Sequence, residues 1–236
     1  MTSAPVAPAA PAATAPVQPQ AAAPISASMQ EKSGGSKKIA MIIGIVLAAA
    51  IILGVAAFAA VTLLGGSDTI SKSDLVSDSY SGVSFERPEQ WLETDYEEGK
   101  AYVLEGQDAD TADQGLLVLS QDIGVDYSQL NDQQKQLLSD GFQEELSNQS
   151  SLEDDGCTEV TDFSAVTTEQ EGYDVAFLVD ATCSEFQGSE QEGRLKYIIG
   201  ISGSQLHGVS VIGLTDLWDT SAEAMETVLR SMSPTL

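Results

Sequence analysis

Three residue types in this 236-residue chain could carry chemistry, and they are unevenly supplied: one histidine (His207), two cysteines (Cys157 and Cys183) and 36 acidic side chains. Serine hydrolysis needs a base beside the nucleophile, and Gly200-Ile201-Ser202-Gly203-Ser204 does not match the Gly-x-Ser-x-Gly elbow. His207, within SQLHGVS, reads as a surface or hairpin histidine. Structural zinc draws on clustered Cys and His, which this composition does not supply. Paired carboxylates could run glycoside hydrolysis, but so many candidates single out no pair. In DADTADQG, the side chains of Asp108, Asp110 and Asp113 are hard oxygen donors of the kind calcium takes. The spacing departs from an EF-hand loop, which requires an oxygen ligand at Ala112, a glycine at Asp113 and a glutamate at Leu119. The chain is therefore expected to be no enzyme and to carry no cofactor, with calcium at those three aspartates as the metal alternative.

The location of these residues is set by SKKIAMIIGIVLAAAIILGVAAFAAVTLLGG, residues 36–66. Residues 39–64 carry no charge, and as a helix they extend about 39 Å, enough to cross a hydrocarbon core of about 30 Å. A core helix would keep a polar face, and a secretory signal would be shorter and begin near Met1. Ala57-Phe58-Ala59 resembles a cleavage site, which leaves a cleaved signal-anchor as the alternative to a retained span. The pairs Gly44/Ala48 and Ala50/Gly54 would let two such helices pack closely. Lys32, Lys37 and Lys38 precede the span and Asp68 is the first charge after it, so the N-terminus is expected inside the cytoplasmic membrane and residues 65–236 outside.

Charge divides the same way. Residues 1–38 hold three lysines against Glu31, a net of +2, which leaves 7 of the 10 basic and 35 of the 36 acidic residues beyond, a net of −28. Such an exterior repels nucleic acid and anionic lipid and attracts cations and basic proteins; the same charge also serves as a solvating coat. The tail 1–38 is Ala/Pro-rich, cannot bury enough apolar surface to fold, and reads as a disordered spacer. Residues 65–79 read as a polar stalk and residues 80–236 as one extracytoplasmic domain.

Within that domain, Val83 and Phe85 alternate with Ser84 and Glu86 in a short strand ending at Pro88, and two apolar runs around residues 100–106 and 115–122 read as a hairpin with a long loop. Leu130, Leu137, Leu138, Phe142 and Leu146 form one helical stripe. Four strands follow, and a last helix carries Trp218, Ala222, Met225, Leu229 and Met232, with Thr220 and Glu223 as a capping box. Apolar residues on both faces of 173–183 imply a sheet covered on both sides, hence an α+β fold of an antiparallel sheet flanked by helices on both faces.

If Glu169, Gln170 and Glu171 form the turn between the first two of those strands, paired residue numbers sum to 340, and Cys157 faces Cys183. Phe163 then faces Phe177 and Ala165 faces Val175. Directly opposed residues of an antiparallel pair lie within disulfide reach, and an exterior site permits oxidation, so a structural disulfide is expected; reduced core thiols are the alternative.

The opening YSGVSFERPEQW, with Val83, Phe85, Pro88 and Trp91, the helix and strand order after it, and the ending VLRSMSP resemble the PsbP-like superfamily over residues 80–236. The resemblance implies an αβα sandwich, makes those four residues a fold signature, carries over no catalytic residue, and suggests binding to other proteins or assistance in complex assembly. The expected function is a membrane-anchored, extracytoplasmic protein-binding or assembly module, held by residues 39–64, whose partner is an envelope protein of basic character. The alternatives are an envelope polymer-binding or hydrolytic protein acting through acidic residues, and a cation-responsive surface sensor.

Overall fold

Alternating stretches become strands and 3.6-period stretches become helices in a computed structural model that describes residues 69–94, 96, 99–105, 114–147, 157–186 and 191–235. Seven strands make the main sheet: β3 (Trp91–Thr94), β4 (Lys100–Leu104), β5 (Gln114–Asp122), β6 (Cys157–Thr168), β7 (Val175–Phe186), β8 (Gly193–Ser202) and β9 (Gln205–Leu214). Their order is β3-β4-β5-β9-β8-β7-β6, and every neighbouring pair is antiparallel. A smaller sheet, order β1-β2-β10, joins β1 (Leu75–Tyr80), β2 (Val83–Pro88) and β10 (Ser233–Pro234). Among the described residues the α-helices are α1 (Asp132–Leu146) and α2 (Thr215–Arg230).

Side-chain alternation sorts the core into layers. On one face of the main sheet Phe177, Val179, Ile199 and Ile201 pack with Leu138 and Phe142 of α1, where Phe142 stacks on Phe177 at 5.5 Å. On the other, Val118, Ile198, Val209 and Val211 pack with Leu217, Trp218, Met225 and Val228 of α2 and with Val83 and Phe85 of β2. The fold is α+β, with a helix over each face of an antiparallel sheet and the small sheet beside α2. Asn131 caps α1, accepting from Gln134 N at 3.0 Å while its own N donates to Gln134 Oε1 at 3.0 Å.

Several expectations are corrected. The folded domain begins before Tyr80: Ile70 is buried, its N donates to Ser221 Oγ at 2.8 Å, and β1 takes residues 75–79 of the expected 65–79 stalk. That segment lacked a readable period because β1 is an edge strand with no fully buried residue. In α1, Leu137 leaves the expected stripe and is exposed. In α2, the backbone kinks at Ser221, Ala222 is exposed and Ala224 takes the core position. The Thr220 hydroxyl donates back to Asp216 O at 2.8 Å, so the expected capping box does not start this helix.

The register of β6 on β7 is also different. Phe163 faces Ala181 and Ala165 faces Val179, a sum of 344. The connection runs from residue 169 to 174 because Tyr173 leaves the strand, and an even shift of four keeps each residue on its expected face. Beyond an irregularity between Val160 and Asp162 the sum is 343, so Cys183 faces Val160 and Cys157 faces Phe186, not each other. Glu159, beside this bulge, has φ 53°. The direct opposition that argued for a disulfide is absent; among the described residues there is no free cysteine.

Residues 1–38, the span 39–64, and Asp108, Asp110 and Asp113 lie outside the described residues. Among the described residues no helix is long and apolar enough to cross a membrane.

Candidate functional site

The α2 face of the sheet carries the polar residues that alternation sends into the interior. Asp180 on β7 faces Lys196 on β8, and Thr182 faces Arg194. Arg194 Nε and Nη2 grip Asp180 Oδ1 and Oδ2 at 2.8 and 2.6 Å, the two-pronged geometry a guanidinium provides. Lys196, only 7% exposed, lies 3.4 Å from Asp180 Oδ2 and bonds Glu226 of α2. Trp218 Nε1 donates to Arg194 O at 3.1 Å, and the Arg194 guanidinium sits 5.4 Å from the Trp218 ring. Burial pushes the Asp180 carboxyl up, but Arg194 and Lys196 together outweigh it and hold the group below its usual range.

This network reaches the surface at Glu226, which lines an open cleft of about 440 Å³ with Glu223 and Arg230 of α2, Glu86 of β2 and Lys72 of the short 3-10 turn before β1. Lys72 pairs with Glu223 at 2.8 Å. The walls therefore alternate in sign. Such a surface can recognise a charged partner by complementarity, and the ion pairs already within it hold its side chains in place.

The second polar cluster lies on the same sheet face. His207 of β9 is 2% exposed, although the sequence suggested a surface or hairpin histidine. Its neighbours across the sheet are Ser120 on β5 and Gly200 on β8. A Cβ at Gly200 would strike the Tyr173 ring, so glycine lets this tyrosine lie flat on β8 and bring its hydroxyl 3.1 Å from His207 Nδ1. His207 Nε2 has no hydrogen-bond partner. Burial holds the imidazole below its ordinary pKa and pushes the Tyr173 phenol well up.

Among the described residues the imidazole is hydrogen-bonded to Tyr173 and to no serine or cysteine. Ser120, the serine beside His207, donates its hydroxyl to Ser81 O at 2.8 Å rather than to the imidazole. Each described carboxylate with a resolved shift, Asp74, Asp78, Asp180 and Glu223, is shifted down. Asp78 shows the pattern again: burial opposes the shift, yet Arg87 at 2.9 Å, the backbone N of Ser79 and the Tyr102 hydroxyl at 3.0 Å prevail.

The expected fold-signature residues Val83, Phe85, Pro88 and Trp91 are all buried, and Val83, Phe85 and Trp91 lie in the layer shared with α2. Cys183 is buried beside Ala181 and Phe186. Among the described residues no three His, Cys, Asp or Glu side chains are grouped to hold a metal. Sequence reading passed over Asp180, Arg194, Lys196 and Glu226. A faint signal was present: charged residues at positions 180, 194 and 196 interrupt apolar strands, and an interior strand tolerates a charge only when it is paired.

No family model matches the chain, and no curated protein matches it. Among solved structures, the chain is similar to cyanobacterial PsbP (CyanoP) from Synechocystis sp. PCC 6803, at 17% identity over 72% of this chain and 98% of that one, with a TM-score of 0.44. It is also similar to LpqN of Mycobacterium tuberculosis, a protein described as involved in cell envelope biogenesis, at 11% identity over 65% and 83% of the two chains, with a TM-score of 0.41.

Proposed function

We propose that the chain is a single-pass membrane protein, anchored through residues 39–64 with its N-terminus inside, whose PsbP-like exterior domain binds another envelope protein without catalysing a reaction. The observation that supports this reading is the cleft, whose walls set Lys72 and Arg230 against Glu86, Glu223 and Glu226, with Lys72 paired to Glu223 at 2.8 Å. The net charge of −28 beyond the span supports a basic partner surface.

The tether narrows the choice of partner. Ile70 is already packed in the domain, so residues 65–69 alone separate it from the proposed span, at most roughly 18 Å of extended chain. Lys72, one wall of the cleft, lies two residues further on. The cleft is thus held near the membrane surface, within reach of the basic juxtamembrane segment of another membrane protein. A disulfide between Cys157 and Cys183 belongs to the same reading; intact-mass measurement with and without reductant after thiol alkylation tests it.

A photo-crosslinker at Glu223 in the full chain, in cells, is expected to capture one protein reproducibly, while the same group at Gly141 on α1 captures none. Equal capture from both positions, or only scattered neighbours, would overturn the assignment to this cleft. Protease added to intact cells should remove the domain and spare the tail; the reverse pattern defeats the topology.

A further inference from the structure

Three chain segments distant in sequence meet over His207. The β1–β2 turn, Ser81 and Gly82 with φ 43° and 87°, brings Gly82 against the imidazole, where an added Cβ would lie 3.7 Å from Nε2. Ser120 Oγ holds that turn through Ser81 O at 2.8 Å. The chain end crosses the same turn: Thr235 N donates to Gly82 O at 2.8 Å, and β10 pairs with β2 through Ser233 and Pro234. The β6–β7 connection supplies Tyr173 to Nδ1, and its Gln170 Nε2 donates to Arg230 O at 2.8 Å and to Met232 O at the end of α2. Gly172 of the same connection, φ 81°, sits where a Cβ would meet the Pro234 ring at 2.7 Å.

The pin under this junction is a buried imidazole, 2% exposed. The titratable and charged residues on the surrounding elements include Asp78 and Tyr80 on β1, Glu86 and Arg87 on β2, Asp122 on β5, Lys196 on β8, Glu226 and Arg230 on α2, and Glu169, Glu171, Tyr173 and Asp174 on the β6–β7 connection; of these, Tyr173 is hydrogen-bonded to the ring. Asp122 accepts from Gly124 N at 2.7 Å and Asp174 from Gly203 N at 2.9 Å, while Lys196 and Glu226 pair with one another and Arg230 Nε lies 4.0 Å from Glu226. Beyond Tyr173 none of these groups bonds the imidazole, so an imidazolium here would hold a buried N–H at Nε2 without a hydrogen-bond partner, beside the Gly82 turn.

We infer that His207 is an acid-sensitive latch: neutral, it lets the β1–β2 turn, the β6–β7 connection and β10 close over the sheet, and protonated, it favours the state in which they lift. The sign follows from burial. An imidazole that is harder to protonate folded than free leaves the closed state short of a proton relative to the open one, so closure is complete above the free value of about 6.5 and weakens as pH falls toward the folded value. The consequence is that the rim formed by the chain end and the first hairpin loosens in acid while the α1 face of the sheet stays closed. This device is not the partner-binding cleft, although it borders it: Arg230, which lines the cleft, accepts the Gln170 hydrogen bond at the junction through its backbone O.

The test uses the full chain in detergent micelles. Because the chain has one histidine, its imidazole proton resonance can be followed alone, and it should titrate below the value for a free imidazole. Hydrogen exchange, corrected for intrinsic pH dependence, should accelerate at the amides of Tyr173, Asp174 and Thr235 by up to about tenfold per pH unit below 6.5. Exchange across α1 should not change. In His207→Gln, which cannot take up a proton, the acceleration should vanish; His207→Met serves the same purpose if glutamine disturbs folding. Acid-induced exchange at those amides that persists in both variants, or its absence from the unaltered chain down to pH 4.5, would overturn the latch, whether or not the cleft binds a partner.

Discussion

Two polar clusters lie on the same face of the main sheet, and they are satisfied in opposite ways. At Asp180, Arg194, Lys196 and Glu226, opposite charges meet at hydrogen-bond distance, so each ion enters the interior with a partner. At His207 a neutral ring enters with one partner, Tyr173, and one bare nitrogen. The first arrangement is insensitive to pH over the physiological range because its carboxylate is held low and its guanidinium high. The second differs, because a proton taken up there creates a buried charge whose Nε2 has no hydrogen-bond partner. A paired and a half-paired way of burying polar groups thus occur on one sheet face.

Substitutions can break this contrast. Asp180→Ala should have the largest effect, leaving Arg194 and the nearly buried Lys196 without their shared carboxylate; a loss of about 3 kcal/mol is expected by urea unfolding, toward the low end for broken buried pairs because Asp180 is 22% exposed. Gly200→Ala comes next: its methyl would strike the Tyr173 ring, and overpacking of this kind costs about 2 kcal/mol. Tyr173→Phe keeps the ring and removes one hydrogen bond, for about 1 kcal/mol in the same assay at pH 7. Lys196→Met should change stability least, by less than about 1 kcal/mol, since it deletes the most buried charge while Asp180 keeps Arg194 and Glu226 stays partly solvated. If Lys196→Met proved as costly as Asp180→Ala, the network would depend on the ammonium and not on the carboxylate that links it.

The pH profile sharpens the same comparison. Stability should fall in two separate limbs as pH drops. His207 opens the first, beginning near 6.5, because its folded pKa is depressed and the open or unfolded chain binds the proton first. Asp78 and Asp180 open the second, beginning near the ordinary carboxylate value of 3.8 and extending below it, because their folded pKa values are also depressed and their ion pairs persist until they are protonated. His207→Gln should erase the first limb and leave the second in place.

Much of the architecture was legible locally. The alternation in residues 83–86 and 175–183 and the stripe Leu138, Phe142, Leu146 lead directly to β2, β7 and α1, because each is an element with one strongly apolar face. β1 and β10 were not legible: the first is an edge strand without fully buried residues, and the second is two residues long and exists only through its pairing with β2. Of the candidate site, the charged residues could be read as interruptions of apolar strands, but their pairing could not.

What the sequence alone determined is what depends on near neighbours: the charge asymmetry, an uninterrupted apolar run, the period of each element, and the residues entitled to a core. Tertiary structure decided the register of β6 on β7, the burial of His207 and the meeting of the ion-paired side chains from β7, β8 and α2. The physical reason is that a strand's period is two and survives any even shift, so alternation assigns faces without assigning partners. Partners were chosen by Tyr173, which left the strand to cover Gly200, and by the closure of distant chain segments over one imidazole.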